Sequence, residues 1–131
     1  MKPAFFIAFL LTAFTAFSQE DSIRGNKFHL TGKLKDKIKM PPHCGIIAWA
    51  TVIEFDVLEI SGMNYSNKSI GIIIPCPTIY ADNFFEKGKT YSIVFSDNNQ
   101  ADFGWAIVNK DLLKKNGLSY DPYAILVEKI R

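Results

Sequence analysis

Apolar and polar positions alternate along much of this chain, and the period of the alternation predicts strands. Phe28, Leu30, Gly32, Leu34, Ile38 and Met40 fall on one face, interrupted by Asp36. His29, Thr31, Lys33, Lys35, Lys37 and Lys39 fall on the other. Period two from Phe28 to Met40 predicts a half-buried strand, stopped by Pro41-Pro42, which have no N–H for a ladder. The longest strand signal runs from Gly45 to Ile60. Its first half is apolar on both faces and is expected to be covered on both. Ile53, Phe55 and Val57 then alternate with Glu54 and Asp56. The phase slips at Val57-Leu58, where a β-bulge would keep both apolar sets inward.

A third strand, Ser69 to Cys76, is apolar throughout and ends at Pro75 and Pro77. Thr78 to Lys89 reads as irregular, with Phe84-Phe85 plugging one end of the core. Tyr91, Ile93 and Phe95 align in a strand from Thr90 to Ser96, and Asp97 to Gln100 form a loop. One helix is predicted over Asn109 to Lys115, with Asn109 as its N-cap and Asn116-Gly117 ending it in a left-handed turn. Asp121-Pro122 turns the chain into a last strand, Tyr123 to Ile130. This order predicts a mainly β fold: a small five-stranded Greek-key barrel of the OB type with one short helix.

Composition narrows the setting. With 131 residues, 48% hydrophobic and 21% charged, the chain has room for one domain and is too apolar for disorder. A formal charge of +2 argues against a nucleic-acid binder. The first eighteen residues differ from the rest. Lys2 precedes an apolar run from Ala4 to Phe17, broken only by Thr12 and Thr15, and Ala16-Phe17-Ser18 is a small-x-small pattern. These are the parts of a secretory signal peptide. Read instead as an uncleaved anchor, the run falls short of the roughly 20 residues that span a bilayer. Residues 1–18 are therefore expected to be a signal peptide, and residues 19–131 a single exported domain, periplasmic or secreted, without a membrane span.

Cys44 and Cys76 are the only cysteines, and an even count in an oxidising compartment reads as one disulfide. Closing a loop of this length contributes on the order of 3–4 kcal/mol in the chain-entropy description. The alternative is a reactive Cys44 beside His43, a pair whose sequence adjacency rarely gives nucleophile geometry.

Three runs resemble the OB-like barrel of netrin-type and tissue-inhibitor-of-metalloproteinase domains. They are Cys44-Gly45-Ile46-Ile47-Ala48-Trp49-Ala50, the apolar strand leading to Cys76, and Phe85-Glu86-Lys87-Gly88-Lys89-Thr90-Tyr91-Ser92-Ile93. The resemblance covers about half of the exported part and implies the fold. Such inhibitors start their mature chain with a zinc-chelating cysteine and carry several disulfides. Here the expected first residue is Gln19 and one disulfide is possible, so the inhibitory mechanism and its residues are not carried over.

Candidate chemistry is sparse. Lys33, Lys35, Lys37 and Lys39 on one strand face would form an anion-binding stripe, or equally a charged edge that resists aggregation. His29, His43 and Cys44 match no metal-ligand spacing, and neither metal nor cofactor is expected. Glu54 and Asp56 lie two apart on one strand face, where they would serve either acid–base chemistry with a histidine or simple solvation. Glycine-loop, G-x-S-x-G and H-E-x-x-H motifs are absent. Trp49 is expected in the core. Phe103 and Trp105 follow a polar loop and read either as an exposed binding feature or as a lid on the barrel end. Asn64-Tyr65-Ser66 and Asn67-Lys68-Ser69 match the glycosylation pattern. These features together favour a non-enzymatic binding module for a protein or extracellular polymer. The alternatives are a small hydrolase using His and carboxylate side chains, or a self-associating envelope component.

Overall fold

In the computed structural model, residues Ser22–Arg131 are described, and the expected signal peptide lies outside them. Six strands form: β1 (Lys27–Leu34), β2 (Trp49–Ser61), β3 (Ser69–Pro75), β4 (Thr90–Ser96), β5 (Ala106–Val108) and β6 (Tyr123–Lys129). Five of them close on themselves in the order β1-β4-β6-β3-β2-β1, and β5 adds to the free edge of β2. All pairings in the ring are antiparallel except β3–β6. This is the five-stranded Greek-key barrel of the OB type expected from the alternation.

The barrel interior takes apolar residues from each strand of the ring. Leu30, Phe55, Ile72, Tyr91, Ile93 and Phe95 are fully buried there. The opposite faces of β2 and β3 carry a second, smaller cluster of Ala50, Val52 and Ile73, covered by Trp105, Ile107, Leu112, Leu113 and Tyr123. The doubly apolar start of β2 is thereby covered on both sides. At one barrel end Phe84 and Phe85 pack with Tyr80 and Tyr91 as an aromatic plug. The Tyr91 hydroxyl fixes it, donating to the Phe84 carbonyl and accepting from the Glu86 N–H.

Four details depart from the sequence reading. First, β1 stops at Leu34, not Met40. The Lys35 N–H still reaches the Glu54 carbonyl at 3.0 Å, but the β2 edge beyond it is taken by β5, which pairs with Trp49–Thr51. Second, β2 begins at Trp49 instead of Gly45. Its partner β3 ends at Pro75, opposite Ala50, and the next residue, Cys76, turns left-handed with φ 42°. Third, the bulge does fall at Leu58, since Thr31 faces Glu59 and Gly32 faces Val57. It keeps Val57 and Ile60 against the core but turns Leu58 out to solvent. Fourth, the predicted helix forms over Lys110–Asn116 as a 3-10 helix. Asn109 is itself left-handed and makes no capping bond; its amide donates instead to the Thr51 hydroxyl at 3.1 Å. Gly117 ends the helix left-handed as expected (φ 67°).

Candidate functional site

The four lysines do not share one strand face, because their strand ends at Leu34. Lys33 sits on β1 opposite Asp56 and Thr90. Lys35 Nζ bonds Glu54 Oε1 at 2.9 Å. Glu54 is nearly buried, and burial pushes its carboxyl up. Hydrogen bonds from Lys35 and Ser69, with the Lys35 charge, outweigh that and hold it below its ordinary value. Lys37 and Lys39 belong to the connection that crosses from β1 to β2, along a groove containing Glu54 and Asn109.

The proposed acid–base groups are not brought together. His29 Nε2 lies 2.7 Å from Ser92 Oγ on the outer sheet face. Ser92 belongs to a strand paired on both sides, so no free backbone N–H remains beside it to receive an oxyanion. His43 lines a hollow that contains neither Glu54 nor Asp56, and the groove containing Glu54 has no histidine. Among the described residues no group of three His, Cys, Asp or Glu is arranged to hold a metal, and no helix is long and apolar enough to cross a membrane.

Phe103 and Trp105 separate in role. Their rings are 4.9 Å apart, but only Phe103 is exposed. Trp105 lies over the second cluster and donates Nε1–H to Asn99 Oδ1 at 2.9 Å. Trp105 thus covers the outer-face cluster of β2 and β3 and not a barrel end, with exposed Phe103 beside it.

A further apolar surface lies at the barrel end next to the aromatic plug, around the two cysteines and His43. Cys44 and Cys76 form a disulfide there, joining the β1–β2 connection to the end of β3. Met40, Ile46 and Ile47 flank Cys44 in the chain and Ile79 follows Cys76; Ile46 is completely exposed, Ile79 74% exposed, and Met40 and Ile47 about half exposed. A 3-10 turn, Pro77–Ile79, presents Ile79, and the Gly45 N–H bonds the Ile47 carbonyl to fold the Ile46 tip. Beside this aliphatic knuckle opens a hollow of about 710 Å³, lined by Met40, Pro41, His43, Tyr80, Phe84 and Phe85 among others. Sequence reading missed the knuckle because Ile46-Ile47 looks like strand. The available signal was the Pro-Pro-His-Cys-Gly run before it and the prolines flanking Cys76, which deny that strand a partner.

Compared with known protein families, with curated proteins and with solved structures, the chain matches none. The class defined here is a disulfide-pinned OB-type barrel with an apolar surface at one end.

Proposed function

We propose that this chain is an exported, non-enzymatic binding module that engages a protein partner through the disulfide-pinned end of its barrel. The observation that carries this reading is the grouping of Met40, Ile46, Ile47 and Ile79, four solvent-facing aliphatic side chains within a few residues of one disulfide. Isolated exposed apolar residues are ordinary on a protein surface, but a grouped set marks an interaction site. Fully burying one such side chain contributes roughly 1.5–3 kcal/mol, so the exposed set is costly unless something covers it. The groups are aliphatic, with no aromatic ring laid flat to solvent among them. That favours a protein over a polysaccharide, which stacks on flat rings. The disulfide suits an oxidising compartment and supports export. A mature mass starting at Gln19, with alkylation only after reduction, checks that half of the proposal.

The binding half is tested by photo-crosslinking in the producing cells, with a benzophenone side chain placed at position 46, 79 or 103. A protein adduct formed at 46 and 79 and absent at 103 is expected. Equal adducts at all three positions, or adducts at 103 alone, would overturn it.

A further inference from the structure

We infer that the Cys44–Cys76 bond is a latch for the knuckle, separable from the barrel: reducing it releases the β1–β2 connection while the five strands stay closed. The inference rests on the binding reading for its purpose, though not for its test. Between Lys35, whose N–H bonds Glu54, and Gly45, whose N–H bonds Ile47, no residue donates or accepts a backbone–backbone hydrogen bond among the described residues. Apart from the disulfide, this stretch is held by half-buried Ile38, which packs on the main core, by buried Pro41, and by Cys44, whose Sγ lies 3.3 Å from the Trp49 carbonyl oxygen. The ring of strands does not depend on the bond in the same way. Neither cysteine lies in a strand, neither belongs to the core cluster, and Cys76 is independently tied by its N–H to the Trp49 carbonyl at 2.9 Å.

The chemistry is thiol–disulfide exchange with a dithiol reductant. One reductant thiolate attacks a cystine sulfur, the S–S bond breaks, and the other cysteine leaves as a thiolate that takes a proton. The second reductant thiol resolves the mixed disulfide. Both cysteines end as thiols and the reductant as its own disulfide, a transfer of two electrons and two protons. Ile46 and Ile47 would then sit on a connection free to move, and a rigid contact surface would become a mobile one.

Limited trypsin digestion of the mature chain, with and without dithiothreitol, tests this. Lys35, Lys37 and Lys39 offer cleavage sites inside the latched stretch. Local opening is expected to raise cleavage there by about tenfold or more on reduction, while Lys33 in β1 and Lys129 in β6 stay protected. A Cys44→Ser/Cys76→Ser double variant should show the same pattern without reductant and keep the near-ultraviolet signal of its buried aromatics. Loss of protection at strand lysines, failure of the double variant to fold, or unchanged cleavage at 35–39 would each overturn the latch. Because no partner enters this experiment, a failed crosslink at Ile46 would leave its outcome intact, and the reverse also holds.

Discussion

Asn116 closes the weakest seam of the barrel by pairing its side-chain amide with the backbone of Gly71. Its Oδ1 accepts from the Gly71 N–H at 2.8 Å and its Nδ2 donates to the Gly71 carbonyl at 2.9 Å. Strands β3 and β6 meet at a single pair, Ile73 with Tyr123. On that edge the Ile73 N–H reaches the Pro122 carbonyl at 2.9 Å, but without Asn116 the Gly71 N–H and carbonyl would be buried unpaired, so the amide takes the place of the missing strand residue.

Replacing Asn116 with Ala should therefore lower stability by about 2–4 kcal/mol, the cost of leaving a buried donor and acceptor unmet. Gly71→Ala should cost about 1–3 kcal/mol by overpacking, since an added Cβ would stand 3.0 Å from both the Leu112 carbonyl oxygen and Val52 Cγ1. Urea unfolding measures both. The double variant should lose less than the sum, because both changes open the same contact.

Trp105→Ala should destabilise the domain by about 2–4 kcal/mol, through the cavity left over Ala50, Val52 and Ile73. Phe103→Ser, at an exposed site, should fall within about 0.5 kcal/mol of the parent. Thermal unfolding of the two variants separates the covering residue from its exposed neighbour. Equal losses would mean that Phe103 also seals the core.

Acidification should weaken the fold, and the sign follows from three carboxylates. Glu54 is held below its ordinary 4.5 by Lys35 and Ser69 against burial. Glu86 is held down by the hydrogen bond from Lys129, and Asp97 by bonds from the Asn26 side chain and backbone. A carboxyl with a lowered folded value contributes stability above its unfolded value and loses it as pH falls through the folded one. Melting temperature should thus hold steady above about pH 5 and decline below pH 4.5. Glu54→Gln should make that decline shallower. An identical acid slope in the variant would show that Glu54 is uncoupled from folding.

The parts of this fold that were readable from sequence are those in which one residue's burial repeats with a period. Tyr91, Ile93 and Phe95 announce β4, and the parity change at Leu58 announces the bulge. The cysteine count, with a signal-like start, announces the disulfide. What escaped depends on contacts between distant segments. Asn116-Gly117 reads as a helix stop, and nothing local says that the asparagine mates with Gly71, 45 positions earlier. Strand β5 has three residues, too few for a period. Lys35 looks like one of a row until β5 takes the strand edge and Lys35 turns to Glu54. Ile46-Ile47 has the composition of a strand but is denied a neighbour by Pro75, Cys76 and Pro77. The candidate binding surface was hidden for that reason: it consists of strand-like residues left outside the sheet.

The central claim is that the knuckle at the pinned barrel end makes the binding contact. The most direct measurement is the affinity of an Ile46→Asp/Ile79→Asp double variant for the partner crosslinked at position 46, against the parent and Phe103→Ser, by isothermal titration. Losing two buried aliphatic anchors should weaken binding by roughly a hundredfold or more, with the melting temperature and the Phe103→Ser affinity unchanged. Parent-like affinity in the double variant would contradict the claim and place the contact elsewhere on the barrel.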